Sequence, residues 1–231
     1  MAARVRHARG MGYALPRSLD DDNETRALGH LKRYYGTDGG GPYTGSYHDV
    51  WRSDQDPFRF TADDLIAVSF LSVFVPPLAA RELLDTRAEE FGGLLRAVGP
   101  DQDLVDESDA GTRNHPAWRL EAELMRLGRV GRTTASKSCA RKRPRLFPIY
   151  DSIVGQVTGA DDAQWEPLRH ALRSDDGALH ERLVSLRTRA GIGDHVSALR
   201  VYDVISWMEG KDRDYRPTDP VELTAAELAD D

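Results

Sequence analysis

The residues whose types and spacing could do chemistry lie between Leu127 and Val157. Val130-Gly131-Arg132-Thr133-Thr134-Ala135 reads as a tight turn opening into a basic helix. Asp151 follows Ala135 by 16 residues, beyond a link punctuated by Pro144 and Pro148, and stands at the start of another helix. A turn between two helices presents backbone N–H groups at the N-terminus of the second helix. That is a ready phosphate site that reads no base sequence. On its residues alone, Asp151 is either a carboxylate with a chemical task or a plain N-cap worth about 1 kcal/mol.

Charge singles out the same stretch. Arg119, Arg126, Arg129, Arg132, Lys137, Arg141, Lys142, Arg143 and Arg145 are opposed only by Glu121 and Glu123, so the window carries +7 in a chain of net −7. The remaining residues therefore sum to −14. Such segregation points to one basic face on an acidic body, and the anion that best fits it is a nucleic-acid backbone, DNA or RNA. An overall acidic chain is not expected to coat nucleic acid over its whole surface. The competing reading is a solvated helix face.

The 231 residues suffice for a self-standing core, and 30% charged with 40% hydrophobic residues is ordinary for a globular protein. A single cysteine, Cys139, excludes an internal disulfide and a Cys-based zinc or iron–sulfur site, and suits a reducing compartment. It reads as a small packed hydrophobe. The seven histidines lack metal-ligand spacing, and no P-loop or dinucleotide fingerprint is present, so neither a metal nor a cofactor is expected. No secretory h-region follows the basic first ten residues, and no apolar run is long enough to span a bilayer. The expectation is a cytoplasmic protein with no membrane partner.

The elements that must position these residues read as helices throughout. Residues 1–20 are expected to be loosely attached, and a helical domain is expected over 21–210, with an acidic, frayed tail over 211–231. A first helix starts near Asp21–Asn23 and ends at Gly36. A Gly-rich loop follows, carrying Tyr43, Tyr47 and Trp51; mobile rings there suit base stacking or wedging into a duplex, and otherwise pin the loop to the core. Thr61 caps a helix from Ala62 to about Val75, apolar nearly all round and so expected to be the central buried one. Pro76–Pro77 is expected to stop it; helical pieces follow at Leu78–Leu84 and Arg87–Val98. Residues 101–115 read as an acidic linker with little to bury. A helix restarts at Pro116 and runs into Gly128. Later helices carry Trp165–Leu172, Leu179–Leu186 and Ala198–Met208, with Asp161 and either Ser197 or Asp194 as starts and Gly191, Gly193 and Gly210 as stops. No stretch alternates with period two, so the fold is expected to be all-α and two-lobed, with a helix-hairpin-helix at about 117–141.

The hairpin and the spaced acid resemble the helix-hairpin-helix DNA glycosylase superfamily, whose members carry G-h-G-x-x-T-A and a catalytic aspartate about sixteen residues after the alanine. The resemblance covers roughly 117–157. The longer string TTASK…RPRLFPIYDSIV is also similar to bacterial glycosylase-like proteins. It implies DNA binding through Gly128, Arg129, Val130, Gly131, Arg132 and Thr134, with Lys137, Arg141 and Lys142 of the following helix adding side-chain contacts. It also implies a repair function, with Asp151 stabilising the cationic sugar of a flipped-out nucleotide.

Gly131 is expected to supply a positive φ. The family's first hairpin glycine falls at Arg129, however, and the lysine of its Schiff-base-forming members falls at Thr133. An uncharged residue there implies a monofunctional enzyme that uses water. The alternatives from the residues alone are a helix-hairpin-helix module that holds DNA or RNA without cutting a bond, and a scaffold whose basic face meets an acidic protein.

Overall fold

A computed structural model describes residues 12–52, 56–108, 115–160 and 164–218. Every regular element among them is helical, as the absence of period-two alternation predicts. In chain order these are α1 (Glu24–Tyr35), the single turn α2 (Tyr47–Val50), α3 (Ala62–Ser69), α4 (Pro77–Arg81), α5 (Ala88–Val98), α6 (Pro116–Met125), α7 (Arg132–Lys142), α8 (Ser152–Thr158), α9 (Trp165–Arg173), α10 (Ala178–Arg189) and α11 (Ala198–Asp212). A π-helical turn, Glu82–Thr86, continues α4.

Two helices organise the rest. α11 is buried along nearly its whole length and packs on α1, α8 and α10; α7 packs on α3 and α6. One apolar cluster includes Leu31, Phe91, Leu95, Leu120, Leu124, Leu168, Leu183, Val201 and Ile205. Each such side chain, fully withdrawn from water, contributes about 1.5–3 kcal/mol before conformational entropy is counted. The starts follow local chemistry. Thr61 and Asp64 form a reciprocal capping box on α3, His115 accepts from Ala117 N–H ahead of Pro116, and Ser197 accepts from Arg200 N–H. Gly36, at φ 70, closes α1 in the left-handed conformation that only glycine adopts without cost.

Several expectations fail. The apolar run after Ala62 does not stay helical to Val75: α3 stops at Ser69, Ser72 takes φ 58, and Ile66 and Phe74 face solvent. The central place belongs to α7 and α11 instead. Pro76–Pro77 opens α4, with Pro76 as its N-cap. Residues 12–20 are docked, not loose: Tyr13 Oη lies 2.8 Å from Tyr202 Oη, Ala14 N–H donates to the Thr158 carbonyl, and Ser18 N–H donates to Glu209 Oε2 at 2.7 Å.

Gly210 does not end a helix. It sits inside α11, where an added Cβ would fall 2.3 Å from Ile153 Cγ2, so glycine lets α11 press against α8. The described part of the tail, to 218, returns along α8, with Thr218 N–H donating to Ser152 Oγ. The acidic linker buries Leu104, whose N–H donates to the Arg145 carbonyl at 3.0 Å. The proposed start at Asp161 lies outside the described residues; α9 begins at Trp165, after Gln164. Among the described residues no helix is long and apolar enough to cross a membrane.

Candidate functional site

The hairpin is a short, tight connection. Val130 N–H donates to the Leu127 carbonyl at 3.1 Å, and Ala135 N–H donates to the Gly131 carbonyl at 3.0 Å as α7 begins. Buried Leu127 and Val130 pin the turn to the core, leaving Gly128 and Arg129 exposed between them. The left-handed residue is not Gly131, which is extended at φ −86, ψ 177; it is Arg129, at φ 65. A side chain in that region costs on the order of 1 kcal/mol. The first turn of α7 receives no side-chain cap from Gly131. Arg132 lies flat against the Tyr150 ring, 4.1 Å from its centroid.

Beyond this turn the basic helix is not a surface. Thr133 to Ala140 are all buried, and so are Lys142 and Arg143. The sequence permits this because its polar groups bond locally: Ser138 Oγ donates to the Thr134 carbonyl, and Ser136 Oγ accepts from Tyr150 N–H. Cys139 is fully buried and burial raises its thiol pKa, so it packs as a hydrophobe.

The expected phosphate contacts from Lys137, Arg141 and Lys142 are therefore corrected, because these side chains point inward. Arg141 Nε donates to Asp64 Oδ1 at 3.2 Å, and its other nitrogens take the carbonyls of His48, Trp51 and Arg52. Lys142 Nζ pairs with Asp64 Oδ2 at 2.5 Å and with the Asp56 carbonyl. Arg143, 1% exposed, donates to the carbonyls of Leu95, Gly99, Pro57 and Lys142. Cationic groups are thus turned onto backbone carbonyls of the connecting segments and of the C-terminal end of α5.

Asp151 does two jobs. Its Oδ1 caps α8 by accepting from Ile153 N–H at 2.9 Å, and its Oδ2 accepts from Lys137 Nζ at 3.0 Å. Lys137 Nζ, on a side chain 3% exposed, also donates to the Leu71 carbonyl at 2.9 Å. The N-cap and the functional alternative are therefore compatible rather than exclusive. Asp203 of α11 acts electrostatically on the same pair. Burial raises its carboxyl to about 6, with Arg200 and Lys137 opposing the rise and Asp151 adding to it.

The three loop aromatics divide. Tyr43 stacks on Tyr34 at 5.6 Å and meets Trp207 edge-on, so it is pinned to the core. Tyr47 and Trp51 both pack on Phe70, at 5.7 and 5.5 Å. Phe70 neighbours Leu71, whose carbonyl holds Lys137, so these two rings are tied to the acid–lysine centre through one segment.

A second buried polar cluster escaped notice in the sequence. Arg200 Nε donates to both oxygens of Asp49, at 2.9 and 3.1 Å, and its remaining nitrogens reach Asp203, Tyr34 Oη and the Gly45 carbonyl. Tyr35 Oη donates to Asp49 Oδ2, and His48 Nδ1 lies 3.2 Å from Asp49 Oδ1. Arg200 and Asp203, one turn apart among Leu199, Val201, Tyr202 and Val204, were the available signal: charges inside an apolar helix need partners.

A family model, DUF6308, described as a family of unknown function, matches residues 27–210. The chain belongs to the DUF6308 family. No curated protein and no solved structure matches it. The span matched to DUF6308 takes in the hairpin, the Lys137–Asp151 pair and the Arg200 cluster, whereas the docked segment 12–20 precedes it.

Proposed function

We propose that this protein is a helix-hairpin-helix DNA-processing protein of the glycosylase type, which grips the phosphate backbone at the 128–132 turn and hydrolyses a base N-glycosidic bond with Asp151. One observation carries the reading. The 3.0 Å pair between Lys137 and Asp151 ties the acid, at the start of α8, to the helix that the hairpin opens. The backbone positive φ at Arg129, where the resembled hairpins have their first glycine, supports it further.

In the proposed reaction the bond from the sugar C1′ to the base nitrogen breaks, with its electron pair leaving on the base. The carboxylate of Asp151 stabilises the cationic sugar, water adds to C1′, and the proton it loses ends on the nitrogen of the departed base. Thr133, buried in the first turn of α7, supplies no amine. Lys137 Nζ serves to hold Asp151 and the Leu71 carbonyl. A second reading, DNA binding without bond cleavage, is favoured by the structural work of both Asp151 oxygens, one capping α8 and one held by Lys137.

Duplex oligonucleotides carrying a panel of modified bases, incubated with wild type and Asp151→Asn, separate the two. The glycosylase reading expects base release from at least one oligonucleotide by wild type and none by the variant, with no borohydride-trapped adduct. Release that survives in the variant removes Asp151 from the chemistry. Salt-dependent binding without release from any oligonucleotide leaves the binding module, and no binding at all sinks both.

A further inference from the structure

The chain that leaves α11 comes back to Asp151. It turns at Asp214, φ 58, where Tyr215 N–H donates to the Gly210 carbonyl at 3.0 Å, and then runs along α8. Gln156 Nε2 donates to the Arg216 carbonyl at 2.8 Å, and Thr218 N–H donates to Ser152 Oγ at 3.0 Å. Ser152 directly follows Asp151, and Tyr150, just before it, carries Arg132 on its ring. The chain is thus led to the seam between the carboxylate and the hairpin.

Residues 219–231, outside the described residues, carry Asp219, Glu222, Glu227, Asp230 and Asp231 and no Lys, Arg or His. We propose that this acidic segment imitates a nucleic-acid backbone, docks on the exposed Arg126 and Arg129 of the hairpin, and so restrains nucleic-acid binding there. Charge selects the occupant. Of the −14 carried outside the basic window, −5 lies in this segment, and the body that holds the remainder repels it. The hairpin end of the basic stretch is the exposed positive surface beside the point where the chain is delivered.

Reach and strength agree with the docking. Thirteen residues follow Thr218, which extended would span about 45 Å, more than the turn requires. A surface ion pair is weak by itself, and Arg126 is already shared with Glu123. Tethering supplies the rest, as an effective concentration on the order of millimolar. Salt releases such a contact, and a duplex with many phosphates displaces it. The contact needs no chemistry at Asp151; only its consequence rests on the proposed nucleic-acid grip.

The test uses the full chain. Ala226→Cys carries a nitroxide, while fully buried Cys139 stays unlabelled. The label should broaden the amide signals of Gly128 and Arg129 at about 50 mM salt, and no longer at about 1 M. The combined variant Asp219→Asn, Glu222→Gln, Glu227→Gln, Asp230→Asn and Asp231→Asn should abolish the broadening. It should also bind duplex DNA about tenfold tighter than wild type, as a millimolar tether gives against a contact of about 0.1 mM. No broadening at the hairpin overturns the proposal, and so does equal DNA affinity of the two proteins. Tighter DNA binding with broadening spread evenly over the surface overturns docking in favour of a long-range field. Broadening at the hairpin with no DNA bound by either protein upholds the contact and removes the nucleic-acid reading instead.

Discussion

The two ends of the basic stretch carry the same kind of charge and meet opposite fates. At the hairpin, Arg126 and Arg129 are exposed, and Arg132 is half-buried against Tyr150. A few residues on, Lys137, Lys142 and Arg143 are buried, and Arg141 is nearly so, each turned onto a carboxylate or a carbonyl. The difference lies in what surrounds each end. Arg141, Lys142 and Arg143 sit where the backbone at 48–52, at 56–57 and at the end of α5 offers carbonyls, and Lys137 takes the Leu71 carbonyl. Of the outer ones, Arg126 pairs with Glu123 at the surface and Arg132 lies over the Tyr150 ring. A local excess of positive charge is therefore as much a way of building an interior as a way of meeting an anion. Only the outer end is exposed, with Arg126 and Arg129 as its exposed cations, so about two side-chain contacts are on offer and a salt slope near −2 is expected for DNA binding, far below what nine cations would give.

The sharpest way to break this contrast is at Arg143. Arg143→Ala strands several carbonyls at once, and unfolding in urea should show a loss of roughly 3–5 kcal/mol. The salt slope of DNA binding by the folded fraction should not change. A loss below about 1 kcal/mol would mean that the inner cations are not structural.

Asp203 gives a pH-dependent test of the interior. Its folded carboxyl is raised to about 6 against an ordinary value of 3.8. The fold therefore binds that proton more tightly than the unfolded chain. The contribution is fully present below about pH 4 and is lost as pH rises through 6. Asp203→Asn never ionises, so its stability relative to wild type should improve by roughly 2–3 kcal/mol between pH 4 and pH 7. Urea titrations at the two pH values measure it, and a pH-independent difference would contradict the assignment.

The Lys137–Asp151 pair joins the two regions and should show intermediate coupling. Asp151→Asn retains a good N-cap but loses the charge, and Lys137→Met removes the ammonium group from Asp151 Oδ2. A double-mutant cycle on unfolding should return a coupling of about 2 kcal/mol. Additive losses would show that the two side chains only share a neighbourhood.

What was legible follows the same division between local and distant causes. Periodicity found the helices, since α1, α5, α6, α10 and α11 are amphipathic or apolar over their own lengths, and local caps mark the starts of α6 and α11. The spacing from Ala135 to Asp151 marked a real juxtaposition, because Lys137 reaches Asp151. The stop of α3 at Ser69 was not legible. It is associated with partners far off in sequence: Phe70 is held by Tyr47 and Trp51, and the Leu71 carbonyl by Lys137. The burial of α7 was hidden for the same reason, since Lys137, Arg141 and Lys142 are answered in part by Leu71, His48, Asp56 and Asp64, far off in sequence. The Asp49–Arg200 cluster joins residues 151 positions apart and has no motif, although Arg200 and Asp203 within an apolar helix gave a hint.

Arg129 is the smallest and most discriminating test, because its two roles pull in opposite directions. Its φ of 65 places a long side chain where glycine is favoured, and the resembled hairpins have glycine at that position. Arg129→Gly removes that strain but enlarges the entropy of the unfolded chain, so the net gain in stability should be no more than about 0.5–1 kcal/mol. It also removes one of the exposed cations, so the salt slope should shrink by about 1 while affinity falls across sequences alike. A variant that is more stable and binds DNA less well would show a strained residue kept for a contact. Unchanged DNA binding in an equally stable variant would instead place the anion contact elsewhere on the turn, on its backbone N–H groups or on Arg126 and Arg132.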